Sequence, residues 1–411
     1  MAVWIYLDQY IESQAHLIGH IPIDMKFLKY FGISLPIMAI IGYFLYMKYP
    51  VNPPLSVATT EYNGNLQINN LQLPDGFEID VYAEDVENAR SMALSDSGIL
   101  FVGTRSKGNV YALVDTDKDG RSDKKYTLMK EGNMPNGVAL KDGDLYVAEV
   151  NRVLKFEDIE TKLDNPGDPI VVYDKYPTET HHGWKYIAFG PDGRLYVPVG
   201  APCNICESED EVFASITSIN PDGTDMRIEQ QGVRNTVGFD WHPETGDLWF
   251  TDNGRDWLGD EEPECEFNHV TGGKQHFGYP YCHQGNISDP EFGEGKDCAD
   301  YTPPVVKMGP HTAPLGIEWY TGSKFPDQYL GDAFIARHGS WNRKEKIGYD
   351  VVRIHQKSDG SYERLPFISG WLSDDKSDVS GRPVDFEVMP DGSMLISDDF
   401  ADAIYRVYYR G

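Results

Sequence analysis

The sequence predicts an all-β protein, a six-bladed β-propeller preceded by an N-terminal transmembrane helix. Three observations predict this fold class: 40 glycines and 26 prolines with little helical periodicity, a strand–turn–strand pattern that occurs six times, and one uncharged apolar run near the N-terminus. Turn-forming residues between short alternating strands are typical of all-β proteins. We expect an N-terminal segment over 1–30, a transmembrane anchor over 31–48, a linker over 49–75 and the propeller over 76–411.

The apolar run FGISLPIMAIIGYFLYM (31–47) is close to the minimum length for a membrane span. A secretory signal peptide carries its apolar core near the start, whereas here about 30 residues precede the run. Lys26 and Lys29 before the run, against Lys48 after it, favour a cytoplasmic N-terminus. The sequence therefore predicts a single-pass protein of the cell membrane, with its catalytic domain on the periplasmic or extracellular side. A helix buried in the core is the alternative interpretation.

The six copies combine an apolar strand, an Asp/Gly turn and a Gly-x-Leu-aromatic strand. Alternating apolar and polar residues mark the strands, and the Asp-Gly turns mark hairpins. A spacing of about 45–60 residues, with one longer interval, matches the size of a propeller blade. Six blades are therefore predicted, with a β-sandwich or two smaller barrels as the structural alternatives. The copies begin near residues 93, 139, 188, 240, 331 and 388.

The last copy provides only three strands before the chain ends. The strand GFEIDVYAED (76–85), ahead of the first copy, has no partner in the pattern. Pairing it with AIYRVYY (403–409) would close the ring and remove two exposed sheet edges. We therefore expect the two ends of the propeller domain to share one blade.

Charge and cysteine content narrow the range of partners. The net charge of −29 repels phosphate, so no nucleic-acid partner is expected. In an extracytoplasmic protein the pairs Cys203/Cys206 and Cys282/Cys298 are predicted to form disulfides, which leaves Cys265 unpaired. Residue 207, directly after the C-x-x-C pair, is glutamate rather than histidine, so covalent c-type haem is not indicated.

Four arginines lie directly before or after predicted blade strands: Arg234, Arg255, Arg343 and Arg382. We expect them to face one mouth of the central channel, where loops of several blades converge. Because the guanidinium fork pairs with carboxylates in bidentate fashion, the set suits an anionic ligand. Ordinary surface ion pairs are the alternative interpretation of each arginine taken alone.

Two acidic turns suit a calcium ion to different degrees. In TDNGRDWLGD (251–260), Asp252, Asp256 and Asp260 surround Gly254, and carbonyls and carboxylates around a glycine turn suit this hard cation. The segment DTDKDGRSD (115–123) resembles a calcium loop but lacks its terminal glutamate, which favours an acidic hairpin turn.

Four long segments together resemble the pyrroloquinoline quinone (PQQ)-dependent glucose/sorbosone dehydrogenase family, most closely its sorbosone-dehydrogenase-like branch. They are GVRNTVGFDWHPETGDLWFTDNG (232–254), HFGYPYC (276–282), APLGIEWYTG (313–322) and HGSWNR (338–343), and the resemblance spans 75–411. It implies a six-bladed propeller and a calcium-assisted quinoprotein that oxidises sugars or related alcohols and aldehydes. Since the sequence carries no haem motif, the electron acceptor should be separate, a membrane quinone or a cytochrome.

The resemblance also implies roles for individual residues. His182, which precedes the FGPDG strand, matches the family's general base, which takes the substrate hydroxyl proton while hydride moves to the quinone. Arg234 and Asn235 match an Arg-Asn pair at the cofactor, where Arg234 would polarise the quinone oxygens. The main-chain carbonyls of Gly254 and Arg255 match those that hold calcium against PQQ.

Further matches and departures concern the carboxylates of PQQ. Arg382 matches a carboxylate-binding arginine, and Arg343 stands where the family has a basic residue. The family's second arginine, two residues after the first, is Val384 here. A glutamine that touches the cofactor has no clear equivalent, and Pro135 or Asn136 lies nearest.

The two adjacent histidines of THHG (180–183) need separate roles. On an extended segment neighbouring side chains point to opposite sides, so one histidine should face the ligand and the other should not. We expect His182 to be the base, with His181 as its neighbour or as a substrate contact. A neutral imidazole base predicts that activity falls below about pH 6–6.5. A calcium-dependent lactonase-type hydrolase and a non-catalytic ligand-binding propeller remain the alternative functions.

Overall fold

The computed structural model describes residues 66–411, which form six four-stranded antiparallel sheets arranged as the blades of a propeller. The predicted all-β, six-bladed fold is confirmed. In each blade the strands follow chain order, except that the first strand of the domain, β1 (Phe77–Ala83), belongs to the last blade.

The first three blades are regular meanders. Blade one contains β2 (Ala89–Leu94), β3 (Ile99–Thr104), β4 (Val110–Val114) and β5 (Lys124–Met129). Blade two contains β6 (Gly137–Lys141), β7 (Asp144–Ala148), β8 (Val153–Phe156) and β9 (Ile170–Tyr173). Blade three contains β10 (Ala188–Phe189), β11 (Leu195–Val199), β12 (Ser215–Ile219) and β13 (Arg227–Gln231).

The last three blades carry the irregular features. Blade four contains β14 (Phe239–Trp241), β15 (Leu248–Asp252), β16 (Glu264–His269) and β19 (Val306–Pro310), and the hairpin β17 (Cys282–His283) and β18 (Ile287–Ser288) is inserted before β19. Blade five contains β20 (Pro314–Trp319), β21 (Ala333–Arg337), β22 (Asp350–Gln356) and β23 (Tyr362–Ile368). Blade six contains β24 (Pro383–Val388), β25 (Met394–Asp398), β26 (Ala403–Tyr409) and β1. Short 3₁₀ helices span Ile68–Asn70, Ile159–Thr161, Cys298–Asp300 and Asp327–Tyr329.

The ring closes as the sequence predicts. β1 pairs antiparallel with β26, from Phe77 opposite Tyr409 to Ala83 opposite Ile404. The first and last strands of the domain therefore complete one sheet, in which β1 covers the edge of β26 and is itself the edge strand.

The predicted N-terminal segment 1–30, the anchor 31–48 and the first part of the linker lie outside the described residues. Within 66–411 no helix is long and apolar enough to cross a membrane. The end of the predicted linker lies against the propeller. Leu71 and Leu73 pack on the cluster of buried residues shared by blades five and six, and Gln72 forms a β-bridge with Ser369.

Both predicted disulfides are present, Cys203–Cys206 and Cys282–Cys298, and Cys265 is free and buried. Cys203 and Cys206 lie in the long connection between β11 and β12. The second disulfide closes the insertion of blade four, which accounts for the one long interval between sequence repeats.

Candidate active site

A cavity of about 540 Å³ opens among the loops at one end of the propeller. It lies within the usual size range of small-molecule sites. Most of its lining residues fall in the connections just outside strand ends, so the loops of several blades converge on it. They are Arg90, Arg105, Thr180, His181, His182, Trp184, Arg234, Asn235, Asn253, Gly254, Asp256, Cys265, His311, Ala313, Leu315, His338, Gly339, Trp341 and Arg382.

A second cavity of about 510 Å³ differs from the first in the charge of its lining. Its lining includes the four carboxylates of Glu207, Glu209, Asp210 and Glu211 and no lysine or arginine. The first cavity is lined by four arginines and one aspartate. An anionic ligand is therefore favoured only in the arginine-lined cavity.

Two of the four arginines are held by carboxylates, and two are not. Arg90 pairs with Asp399 at 2.8 Å, and Arg234 lies 3.4 Å from Asp256. Arg105 and Arg382 have no ion pair among residues 66–411. Burial lowers the pKa of Arg105 to about 10, so it is charged at neutral pH. The cavity therefore presents unpaired positive charge to a ligand.

Packing and main-chain contacts fix the two unpaired guanidiniums. Arg105 stacks 4.1 Å above the ring of Trp184, a geometry that suits a cation–π contact. Arg382 donates to the carbonyls of His338 and Gly339 at 3.0 and 3.1 Å. Their positions are thus set without neutralising their charge.

Arg234 is oriented by four side-chain hydrogen bonds. It donates to the main-chain and side-chain oxygens of Asn204, to the carbonyl of Asn253 and to Asp256. Because a guanidinium has five N–H groups, one donor of Arg234 has no partner among the described residues. The adjacent Asn235 has a buried Oδ1 that also lacks a partner. Asp252 holds this pair of residues by accepting from both main-chain N–H groups, at 2.8 and 2.6 Å.

His182 lines the cavity with a defined tautomer. Its Nδ1 lies 2.9 Å from the carbonyl of Ala201 and must donate, since a carbonyl only accepts. The Nε2 lone pair then has no partner among the hydrogen bonds of residues 66–411. Such an atom can accept a proton from a ligand.

Burial lowers the pKa of His182 well below its ordinary range, and the charges of Arg234 and His181 lower it further. The imidazole is therefore mainly neutral at pH 6.5. Because the pKa of His182 is lowered, we expect activity to fall at a lower pH than the 6–6.5 predicted from the ordinary histidine pKa.

The two histidines do not point to opposite sides. His181 and His182 both line the cavity, with ring centroids 4.1 Å apart. Residues 181–182 form a turn and His182 has φ 50°, so the alternation of an extended strand does not apply. His181 is the more exposed of the two.

The structure places two of the predicted arginines away from the cavity. Arg255 is buried against Asp289 and Glu291, and only its neighbour Gly254 lines the cavity. Arg343 donates to the Asp260 carbonyl and to Glu261. Both side chains therefore form local ion pairs, which was the alternative interpretation of the sequence. The predicted calcium-binding role of Arg255 is not affected, because it concerns the main-chain carbonyl and not the side chain.

The acidic turn 251–260 does not gather its carboxylates. Asp252 binds the main chain of residues 234 and 235, and only Asp256 lines the cavity. Within 66–411 one group of three acidic side chains is close enough to share a cation, Asp115, Asp117 and Asp123, at the exposed turn between β4 and β5. These carboxylates accept hydrogen bonds within the turn, as expected of an acidic hairpin.

Comparison with known proteins identifies the family. Residues 71–409 match the family model described as TrAA12-like. A protein of Borreliella burgdorferi, described as uncharacterized, is 32% identical over 356 residues, 83% of this chain and 92% of its own. This chain belongs to the TrAA12-like family.

Solved structures share the fold of this TrAA12-like chain at low sequence identity. The calcium structure of a family AA12 carbohydrate-active enzyme from Trichoderma reesei has a TM-score of 0.73 at 20% identity, covering 87% of this chain and 99% of its own. The holo PQQ domain of pyranose dehydrogenase from Coprinopsis cinerea has a TM-score of 0.68 at 16% identity, covering 85% and 98%. The PQQ-bound aldose sugar dehydrogenase from Streptomyces coelicolor has a TM-score of 0.59 at 19% identity, covering 82% and 99%. The chain therefore belongs to the TrAA12-like family and shares its fold with proteins named as PQQ-bound sugar dehydrogenases.

Sequence reasoning missed several side chains of the TrAA12-like cavity: Arg90, Arg105, Trp184, His311 and His338. Four of these lie in or beside repeat strands and resemble ordinary blade residues. The signal of these four is positional, since they fall at strand ends on the face that carries residues 182 and 234.

The positions at which this chain departs from the resembled family have clear roles here. Val384 lies outside the lining, where it is buried with Leu315 and packs with Trp184, two residues of the cavity lining. Asn136 is buried outside the lining, where its Oδ1 accepts from Arg90 at 2.9 Å. It therefore orients a cavity arginine instead of lining the cavity itself.

Proposed function

We propose that this protein is a calcium-assisted, PQQ-dependent oxidoreductase that oxidises a sugar or a sugar-derived alcohol or aldehyde. One observation carries the proposal: unpaired guanidinium groups and a buried neutral imidazole line the same cavity. The family supports it, since proteins named as PQQ-dependent sugar or pyranose dehydrogenases share the fold.

The donor set of the cavity fits PQQ, which carries three carboxylates. Arg105 and Arg382 would pair with carboxylates, because neither has an acidic partner among the described residues. The orphaned Oδ1 of Asn235 and the remaining N–H of Arg234 supply further polar contacts. When bound, PQQ would supply the acceptor for the hydride that leaves the substrate carbon.

Calcium would be held by the main-chain carbonyls of Gly254 and Arg255, next to Asp256 in the cavity lining. When bound, it would supply Lewis-acid polarisation of the cofactor oxygens. Asp256 is held in place independently of any ion, because its main-chain N–H donates to Asn204 at 2.8 Å.

In the proposed reaction His182 accepts the substrate hydroxyl proton at Nε2. The bond from Nδ1 to the Ala201 carbonyl fixes the tautomer and stabilises the imidazolium that forms. A positioned base of this kind contributes a factor of about 10²–10⁴ to the rate. Trp341, 45% exposed at the cavity, offers an aromatic face to a sugar ring.

We further propose that the electrons leave to a separate acceptor, a membrane quinone or a cytochrome, since the sequence carries no haem-attachment motif. An anchor over 31–48 would hold the enzyme in the cell membrane, with the propeller on the periplasmic or extracellular side.

Titration of the purified protein with PQQ and Ca²⁺, followed by tryptophan fluorescence, tests the proposal. We expect binding at micromolar PQQ or tighter, and reduction of an artificial dye when aldoses are added. Lactone hydrolysis without added quinone would instead indicate the lactonase-type hydrolase. Binding without turnover of any sugar would indicate the non-catalytic propeller, and no binding would refute the cofactor assignment.

A further inference from the structure

We propose that Asn204 is the positioning residue for Arg234 and that the Cys203–Cys206 disulfide holds Asn204 in place. No signal in the sequence marked this asparagine, and its side chain does not line the cavity. The role of this positioning in catalysis rests on the proposed function, whereas the hydrogen bonds between Asn204 and Arg234 do not.

Asn204 takes two of the four side-chain hydrogen bonds of Arg234. The Nε of Arg234 donates to the Asn204 carbonyl, and Nη2 donates to Oδ1, both at 2.9 Å. Two donors on one edge of the guanidinium are thus bound by a single residue. This arrangement fixes the plane of the guanidinium as well as its position.

The same asparagine holds Asp256, the carboxylate that pairs with the guanidinium of Arg234. The Oδ1 of Asn204 accepts from the main-chain N–H of Asp256 at 2.8 Å, and Nδ2 donates to its carbonyl at 3.1 Å. Asn204 therefore connects the loop of blade three to the loop of blade four that contains Gly254. Loss of its side chain would release both partners at once.

Covalent and tyrosine contacts fix the loop that carries Asn204. The disulfide closes a ring of four residues around Asn204. The hydroxyl of Tyr279 accepts from the main-chain N–H of Cys206 at 3.1 Å and lies 3.4 Å from the sulfur of Cys203. Since Tyr279 belongs to the insertion of blade four, the blade-three loop that carries Asn204 is held by contacts within its own blade and with blade four.

His182 reports the position of Arg234 without any cofactor. Besides burial, the charges of Arg234, His181 and Arg105 lower its pKa. If Arg234 moves away, the pKa of His182 must rise. His338 is an internal control, because its pKa, lowered to about 4 by burial and Arg382, depends on other groups.

The test compares Asn204→Ala and Cys203→Ser/Cys206→Ser with the wild type. In the apo-protein, we expect His182 to titrate at a higher pH in both variants, measured by NMR of labelled histidine, while the signals of His338 stay unchanged. We expect PQQ affinity to fall about tenfold or more in Asn204→Ala, the loss typical of charge-assisted hydrogen bonds.

The matched control is Cys282→Ser/Cys298→Ser, which removes the other disulfide and leaves Asn204 intact. It should leave the titration of His182 unchanged. An unaltered His182 titration in Asn204→Ala, or an equal change in the control, would overturn the proposal. If the wild type bound no PQQ, the proposed function would fail, yet the NMR comparison would still decide the role of Asn204.

Discussion

The neutral state of His182 is produced by its surroundings in the fold. Burial and the nearby Arg234 disfavour the imidazolium, while the Ala201 carbonyl fixes the proton on Nδ1. The left-handed backbone of His182 turns the ring toward the cavity beside His181. A free histidine would be partly protonated near pH 6.5, but this one is held as a base.

We predict that His182→Ala lowers kcat of the PQQ-loaded protein by about 10²–10⁴-fold, because it removes the positioned proton acceptor. PQQ affinity should stay within about threefold, since the arginines that pair with carboxylates remain. His181→Ala is the matched control, and we expect it to change kcat much less, because His181 is the more exposed ring. Stopped-flow reduction of the bound cofactor measures the step, and equal losses in the two variants would contradict the role of His182.

A second prediction concerns which arginines bind the carboxylates of PQQ. We predict that Arg105→Met weakens PQQ binding about tenfold or more, because Arg105 has no carboxylate partner among residues 66–411 and its charge faces the cavity. Arg343→Met should leave binding unchanged, since that guanidinium already donates to Asp260 and Glu261. Fluorescence titration with PQQ measures the affinity of both variants. A larger loss of affinity in Arg343→Met than in Arg105→Met would support the sequence-based assignment of Arg343 to the cofactor site.

These arginines show what the sequence could and could not predict about the site. Long motifs located His182, Arg234 and Arg382, because each motif sits at a fixed place in its blade. Ion-pair partners are set by the fold, so the sequence could not show that Arg255 and Arg343 are paired locally. For the same reason it could not identify Arg105, which comes from another blade.

At the level of strands, the closure of the ring was predictable from the sequence, because β1 had no partner in the repeat pattern and β26 had a free edge. The side-chain packing that stabilises this closure was not predictable. Phe77 at the start of β1 makes edge contacts with Phe325, Tyr329 and Phe367, at 4.8–5.1 Å between ring centroids. It thereby links the last blade to the fifth.

We predict that Phe77→Ala lowers the free energy of unfolding by about 3–5 kcal/mol, the usual cost of deleting a buried aromatic ring. The loss should weaken the closure, since Phe77 is the first residue paired with β26. Val171→Ala in β9 is the control, because Val171 is 49% exposed and its loss should cost less than about 0.5 kcal/mol. Urea unfolding followed by far-ultraviolet circular dichroism gives both values, and similar costs would mean that the closure does not depend on this ring.

Across the whole molecule, the innermost strands bring four carboxylates together: Asp240 of β14, Glu318 of β20, and Asp385 and Glu387 of β24. Burial raises the pKa of Asp385 to about 7, and burial with the nearby Asp385 raises that of Glu387 to about 8. Burial and the other three groups raise the pKa of Glu318 well above its ordinary range. No single repeat predicts this cluster, because each blade contributes only one or two of its members.

The sign of the pH dependence follows from these shifts. Between about pH 4.3, the pKa of an unfolded glutamate, and pH 8, the unfolded side chain has lost its proton, while Glu387, whose pKa is about 8, still holds its proton in the folded state. The pKa of Glu318 is shifted in the same direction. The folded state therefore binds more protons, and stability falls as pH rises through this window. Lys185 opposes the trend, since burial lowers its pKa to about 7, but it is one group against several. His182 opposes the trend near and below pH 6.5, because the folded state disfavours its imidazolium whereas an unfolded histidine is partly protonated there.

We predict that Glu387→Gln raises the free energy of unfolding at pH 8.5 by about 1–3 kcal/mol, because the folded protein no longer has to bury a charge or hold a proton there. At pH 5.5 the gain should be much smaller, since this pH lies close to the pKa of an unfolded glutamate and the folded carboxyl keeps its proton at little cost. Glu244→Gln, at the exposed turn between β14 and β15, removes the same charge from the protein and should show no such pH dependence. Urea unfolding of the three proteins at both pH values measures the difference. A gain of equal size in both variants would mean that net charge, and not the carboxylate cluster of the inner strands, controls stability at high pH.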